Sequence, residues 1–470
     1  MKVEAVKSEG LAHNSYYIQS GSEAAVIDPR RDCTIYTELA SRDCAKIKYI
    51  LETHRNEDYV IGSLELQNMT DAEIGHSKEL QFRYGEHNLV DEDTLNVGHL
   101  KIKALYTPGH TNESLCYIVF EGMEPRMVFT GDTLFAGSVG RTDLYGKDRQ
   151  RTQAEKLYES IYEKLLMLDD SLLVYPSHGA GSICGNAIKG FEPTTMGLEK
   201  RTNPYLQLSK EEFIQKSIDT ELFVPRYFKR MEELNLNGPQ IMANMADPEM
   251  LELSEFEKKR HEQNMIVVDT RMPYSFAGSH IPNSLSMWLR GTSAYPGWIM
   301  DINQPILFVL ERPEDIGKVT SQFRRLGFDN LRGFLCGGMN TWQEAGKPFH
   351  NFRTLTASEL TEKLSRNEVT LIDVREPNEW TEDSYIEGAL LIPFAELTEK
   401  AGSIPKDKPV AVTCSVGNRT SIALSLLEQA GFAQLINALG GMTAWTNLGY
   451  PTTKRFSSAP QFPSSFLPAA

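Results

Sequence analysis

Four side chains able to bind a metal follow one another along the N-terminal half of the sequence: His54 in LETHRN, His110 in TPGHTNES, Asp132 in FTGDTLF and His178 in YPSHGAGS. Imidazole and carboxylate are the donors of zinc and of non-haem iron. Any one of the four, taken alone, is explained as a capping or core hydrogen-bonding group. Four in order, each close to Gly, Pro or a turn at the end of an apolar run, point to a single metal centre. Near the other end of the chain, VAVTCSVGNRTSIAL places Cys414 where a strand gives way to a helix. In such a loop, here Ser415, Val416, Gly417, Asn418, Arg419 and Thr420, successive backbone N–H groups and the helix start gather positive potential. Arg419 adds a full charge, and together these stabilise a thiolate nucleophile.

The elements that position these groups are legible as periodicity. Strand-like runs YYIQS, AAVIDP, KIKYILET, LKIKALYT, SLCYIVF, MVFT and LLVY precede or separate the candidate donors. Loops at the ends of adjacent strands converge on one sheet edge, which is where such folds carry function. QAEKLYESIYEKLLML has apolar residues at 157, 158, 161, 162, 165 and 166, which predicts a helix. From Glu192 to Asn244 the sequence is rich in Pro and charge and reads as helices and wrapping loops.

The C-terminal half repeats itself. MIVVDTRMPYSF matches TLIDVREPNEW, pairing Asp269 with Asp373 and Arg271 with Arg375 at an offset of 104 residues, and GFDNLRGFLCGGMNTW matches GFAQLINALGGMTAW. Each copy alternates short apolar strands with helical runs, the pattern of a small α/β domain with a parallel sheet. The first copy is an internal control: Leu310, Pro313 and Asp315 stand where Cys414, Gly417 and Arg419 stand in the second. It lacks nucleophile, turn residue and cation, so it reads as inactive; Cys336 lies beside its Gly337-Gly338 turn instead. The expected organisation is a metal-binding domain with linker over 1–245, an inactive copy over 246–352, an active-type copy over 353–453 and an extended or disordered Ser/Pro/Ala-rich tail over 454–470.

A formal charge of −15 argues against nucleic acid or an anionic membrane as a partner, and 41% hydrophobic with 24% charged residues is the balance of a soluble globular protein. The N-terminus lacks a signal-like apolar stretch and no membrane span is evident, so a cytoplasmic location is expected. The six cysteines have no C-x-x-C spacing, which fits neither a disulfide framework nor a zinc ribbon.

The combination THxxxxD, TPGHTxxS, FTGDTLF and PSHG resembles the metallo-β-lactamase superfamily. GDTLFAGSVGRTDL and HGAGSICG are similar to its persulfide dioxygenases fused to rhodanese domains, and C-x-x-G-x-R, DVREPNEW and GGMTAW resemble single-domain rhodaneses. The resemblance implies an α/β chain: an N-terminal αββα sandwich followed by two rhodanese-like domains. The superfamily writes H-x-H-x-D-H where this chain has His54-Arg55-Asn56-Glu57-Asp58-Tyr59. Its two-metal hydrolases need the imidazoles replaced here by Asn56 and Tyr59. Its persulfide dioxygenases hold one iron through positions that correspond to His54, His110 and Asp132, all present. Two imidazoles and one carboxylate leave positions open for substrate and dioxygen, and the same donors suit zinc.

What the resemblance implies is one Fe(II) per chain, a low-molecular-weight thiol persulfide and O2 as substrates, sulfite and free thiol as products, and a Cys414 that forms or uses thiosulfate. A homo-oligomer is also implied. A glyoxalase II-like thioesterase and a sulfur carrier using Cys414 alone are the alternatives. His178 reads as a donor behind the metal shell rather than a ligand. Asn56, Asp58 and Tyr59 either hydrogen-bond around the metal or brace their own loop. Cys184, six residues past His178, is either an inert buried thiol or faces the same cavity. Tyr385 stands where rhodaneses commonly carry His, a change expected to affect packing more than sulfur transfer.

Overall fold

The computed structural model describes residues 1–220 and 222–454; the expected tail lies almost wholly outside them. Contacts divide the chain into two compact units, one built on Met1–Met245 and one that starts at Ala246.

The first unit is built on two six-stranded sheets. In one, β1 (Lys2–Ser8), β2 (His13–Ser20), β3 (Glu23–Ile27), β4 (Lys46–Leu51), β5 (Glu73–Ser77) and β6 (His87–Leu89) lie side by side in sequence order. The other contains β7 (Thr94–Val97), β8 (Leu100–Tyr106), β9 (Leu115–Glu121) and β10 (Glu124–Gly131). After a hairpin of β11 (Leu134–Phe135) and β12 (Ser138–Val139), β13 (Leu173–Pro176) joins parallel to β10, and β14 (Thr194–Thr195) closes the edge. Alternation builds the layers. Tyr16 and Ile18 of β2 face inward to meet Ile102, Tyr117 and Phe129 of the opposite sheet, while Tyr17 between them faces outward. The outer faces are covered by the helices Thr34–Arg42 and Ser63–Thr70 on one side and Lys147–Glu159 and Lys210–Asp219 on the other. The result is the αββα sandwich.

The helix expected through residue 168 is regular only to Glu159, then widens to a π turn over Ser160–Lys164 and tightens over Leu165–Met167. The change of pitch keeps Leu157, Ile161 and Leu165 buried on one face.

The second unit contains two parallel five-stranded sheets. The first comprises β15 (Met250–Leu251), β16 (Ile266–Asp269), β17 (Leu285–Ser286), β18 (Ile306–Val309) and β19 (Leu331–Leu335), in the order β15-β19-β18-β16-β17. The second comprises β20 (Arg353–Leu355), β21 (Thr370–Asp373), β22 (Leu390–Leu391), β23 (Val410–Thr413) and β24 (Leu435–Ala438), in the order β20-β24-β23-β21-β22. The orders are identical, strand for strand. So is the buried ion pair after the second strand: Arg271 forks onto Asp269 and reaches the Ser279 carbonyl, and Arg375 forks onto Asp373 and reaches the Ser384 carbonyl.

The glycine pairs also correspond. A Cβ on Gly441 would run into the carbonyl of Cys414, and one on Gly338 would stand 2.8 Å from the carbonyl of Leu310. Both glycines have positive φ, +56° and +57°, so the turn and the close approach each require the residue.

Candidate metal centre and sulfur-accepting loop

His54, His110, Asp132 and His178 each follow a strand by a few residues (β4, β8, β10 and β13) and meet at one edge of the sandwich. Nε2 of His110 lies 3.5 Å from Asp132 Oδ2, and Nε2 of His54 lies 3.8 Å from the same oxygen. Both imidazoles are buried, and both Nε2 atoms lack any hydrogen-bond partner.

The far side of each ring is tied down. Nδ1–H of His110 donates to the Arg141 carbonyl at 3.0 Å. The hydroxyl proton of Thr53 goes to Asp28 Oδ2 at 2.6 Å, so Thr53 Oγ1 is left to accept from Nδ1–H of His54 at 2.8 Å. These bonds give both Nε2 atoms a lone pair aimed at one point, with outer donors of the kind that orient metal-bound histidines. A buried atom in that state is costly unless something satisfies it, so the donor set fits a metal ion.

His178 stands behind Asp132. Its Nδ1 is 2.7 Å from Asp132 Oδ1 and its Nε2 is 3.0 Å from Asp58 Oδ2. Burial works against its imidazolium, but the two carboxylates more than reverse this and hold the proton well above the ordinary range. Asp58 therefore touches His178 rather than His54 or His110.

Asn56 donates to the His54 carbonyl at 3.3 Å, and the Asn56 and Tyr59 carbonyls both accept from Asn235 Nδ2 at 2.7 Å. The Tyr59 ring lies tilted against His13 with centroids 4.0 Å apart, and its hydroxyl is buried without a partner.

Glu57, a residue not singled out from the sequence, reaches further in than its neighbours. Its Oε1 is 3.2 Å from His110 Nε2, and its Oε2 is 3.9 Å from His54 Nε2. Burial pushes this carboxyl up, yet the imidazoles of His110 and His54 hold it below the usual range. The converse holds for His110: burial lowers it, and Glu57 and Asp132 bring it up to about 9. The point between these groups favours positive charge. A carboxylate three residues after a candidate ligand was the available sequence signal.

Cys184 places Sγ 3.4 Å from Glu57 Oε1. Burial, then Asp58, Glu57 and Asp132, push its thiol well above the ordinary value, so it is a neutral donor here. Arg141 joins the two quoted loops: its backbone N–H bonds the Cys184 carbonyl at 3.0 Å, and its guanidinium reaches the Ile183 carbonyl and pairs with Asp143. Gly140 lets the segment pass; a Cβ there would run into the Asp132 carbonyl and stand 3.0 Å from His110 Cβ.

In the second unit, Cys414 directly follows β23 and is buried, and the helix Asn418–Gln429 starts four residues on. The N–H of Gly417, at φ +112°, donates to Cys414 Sγ at 3.1 Å. Ser415 and Val416 are half-buried, Asn418 opens the helix, and Thr420 is buried with Oγ1 unpartnered. Arg419 differs from the expected free counter-charge. Its Nη1 and Nη2 bond Glu379 at 2.7 and 2.8 Å, and Nη2 also bonds Ser415 Oγ at 2.8 Å. A neighbouring carboxylate neutralises the guanidinium, so Arg419 works as an anchor of the loop. Tyr295, from the first repeat, lies within the field of Arg419 and Cys414; burial pushes its hydroxyl up to about 12.

Residues 9–178 match the description "Metallo-beta-lactamase superfamily", and residues 252–345 and 356–448 each match "Rhodanese-like domain". The mitochondrial persulfide dioxygenase ETHE1 of Bos taurus is 30% identical over 223 residues, covering 46% of this chain and 74% of that protein. The chain belongs to the metallo-β-lactamase-fold persulfide dioxygenase family fused to rhodanese-like domains. Other relatives of this persulfide dioxygenase family member carry different names. The probable polyketide biosynthesis zinc-dependent hydrolase PksB of Bacillus subtilis (strain 168) is 29% identical over 226 residues, 46% of this chain and 92% of that one. A crystal structure of a metallo-beta-lactamase from Staphylococcus aureus subsp. aureus COL superposes with a TM-score of 0.63 at 26% identity, over 71% of this chain and 98% of that chain. Among the described residues, no helix of the family member is long and apolar enough to cross a membrane.

Proposed function

We propose that the chain is a persulfide dioxygenase with a sulfurtransferase on the same polypeptide, held together as 1–245, 246–352 and 353–453. The observation that carries the first half is the pair of buried, unpartnered Nε2 atoms of His54 and His110 facing Asp132. These three residues would hold one Fe(II). Bound there, iron would supply the redox chemistry by which both atoms of dioxygen pass to the terminal sulfur of a low-molecular-weight thiol persulfide; water supplies the third oxygen as the S–S bond breaks, giving sulfite, the thiol and two protons.

The protein's own part is orientation and proton control. Thr53 and the Arg141 carbonyl fix the two imidazoles, and His178 fixes Asp132 and holds a proton beside it. The neutral Cys184 thiol and the Tyr59 hydroxyl supply buried hydrogen-bond donors around the centre. Cys414 takes sulfane sulfur from a persulfide and passes it to sulfite, forming thiosulfate, or runs the step in reverse; the Gly417 N–H donates to the attacking sulfur. The first repeat lacks a nucleophile at Leu310 and serves as structure.

A hydrolase reading draws on the name of the PksB relative, but Asn56 and Tyr59 remove two imidazoles a second metal needs, and the Asn56 amide is engaged by the His54 carbonyl of its own loop. The test is anaerobic purification, metal analysis, and an oxygen-uptake assay with a glutathione or coenzyme A persulfide. Iron together with persulfide-dependent uptake is the expected result. Thioester cleavage without uptake would overturn the reading, and thiosulfate labelling of Cys414 with neither activity would leave only a sulfur carrier.

A further inference from the structure

A second group of metal-donor side chains lies far along the sequence from the first, where the two rhodanese-like copies meet. His280 of the first copy, His350 of the segment joining the copies, and Glu428 of the helix Asn418–Gln429 bring one donor atom each within 4.8 Å of one another. His280 is buried, Glu428 mostly so, and His350 is open to solvent.

The ring of His280 is fixed. It stacks on Phe276 at 4.1 Å and 10°, and its Nδ1–H donates to the Phe276 carbonyl at 2.8 Å. In the neutral ring Nε2 then carries a lone pair, and it faces the Glu428 carboxylate at 3.3 and 3.4 Å from the two oxygens. Two lone-pair groups facing each other are reconciled by a proton on the ring or by a metal ion, and the separation distinguishes the two. Direct charged hydrogen bonds run at about 2.7–2.9 Å, and these contacts are longer and divided equally between two oxygens. They agree with the separation of about 3.4 Å that metal–donor bonds of about 2.1 Å impose across a tetrahedral ion. The third donor, His350 Nδ1, is 2.8 Å from Glu428 Oε1, a direct hydrogen bond from the exposed ring that a bound ion would replace, while the Asn283 N–H donates to the other oxygen at 3.2 Å.

The repeat supplies a control. The bridge between the backbones of His280 and His350 has a counterpart in the second copy between Tyr385 and Thr453, and Arg324 stands 104 residues before Glu428. At all three matching positions the metal donor is absent. The donor set therefore belongs to the junction and not to the rhodanese-like fold.

We infer that His280, His350 and Glu428 form a binding site for a divalent transition metal of the zinc class, with a fourth position open to water beside His350, which fastens the two rhodanese-like domains to each other.

The experiment uses the full chain, freed of metal by a chelator, and titrates Zn2+ and, in parallel, Co2+. Metal bound after ultrafiltration is compared between the wild type, His350→Ala and Glu428→Gln, with circular dichroism confirming that each variant is folded. His350 is solvent-exposed, so its variant keeps the fold. The wild type should bind one equivalent more than either variant, at micromolar or tighter affinity, and the wild-type-minus-variant Co2+ spectrum should show the visible bands of a four-coordinate ion. Equal stoichiometry in wild type and His350→Ala, or an extra equivalent that binds only near millimolar metal, would overturn the site.

Discussion

Arg419 and Glu379 are joined by two parallel hydrogen bonds of 2.7 and 2.8 Å, with Ser415 Oγ bonded to both. The loop that carries Cys414 is thus tied to the helix Pro377–Glu382 through a carboxylate. Removing one partner of a buried pair strands the other charge, at a cost of about 3–5 kcal/mol. Glu379→Ala should lower the melting temperature of the second unit and reduce sulfur transfer by at least tenfold, with oxygen uptake unchanged. Sulfur transfer at the wild-type rate in a folded variant would remove the anchor role.

Cys414→Ser should abolish sulfur transfer and leave oxygen uptake within twofold, with sulfite accumulating in place of thiosulfate. Product analysis by ion chromatography separates the cases. A loss of oxygen uptake in this variant would mean that the two centres depend on each other.

Thr53→Ala removes the acceptor of His54 Nδ1–H and leaves every candidate ligating atom in place. Partners of this kind change metal affinity by about 10–100-fold. Chelator competition should show ferrous iron bound more weakly by that factor; an unchanged affinity would mean that Thr53 does not set the ring.

Glu57→Gln keeps the shape of the side chain and removes its charge. If the carboxylate 3.2 Å from His110 Nε2 contributes to the cation site, the variant binds ferrous iron at least tenfold more weakly, as measured by the same competition. Equal affinity places Glu57 outside the donor set.

Burial raises the Glu376 carboxyl to about 8, with Arg419 opposing and Glu379 adding to the rise. Its folded state holds the proton more tightly than the unfolded chain, whose carboxyl titrates near 4.5. The stabilisation is complete below that lower value and is lost as pH rises through about 8. The second unit should therefore melt at progressively lower temperature between pH 5 and 8, and Glu376→Gln should flatten the slope. A slope equal to wild type in the variant would assign the dependence elsewhere.

Much of this architecture was legible in the sequence because it rests on local chemistry. The 104-residue repeat announced two equal sheets, and their strand orders are the same. His54, His110, Asp132 and His178 were recognisable because each sits in a turn just past a strand, where spacing and chain geometry bring residues together. Glu57 was not, since its importance comes from a rotamer that turns it inward among imidazoles supplied by other strands. Glu379 was missed for a similar reason: it lies 40 residues from Arg419, and the pairing that cancels the arginine's charge exists only once the helices are packed. The widening of the helix after Glu159 has no signature in apolar spacing, because the π turn preserves the buried face that the spacing predicts.

Gly338 approaches the Leu310 carbonyl as Gly441 approaches that of Cys414. The first copy therefore keeps the glycine turn that backs the strand end, without a cysteine at the position of Leu310. The loop itself has taken another path: Pro313–Asp315 form a tight helical turn where Gly417 holds φ +112°, so a second acceptor would need a new loop backbone as well as a cysteine.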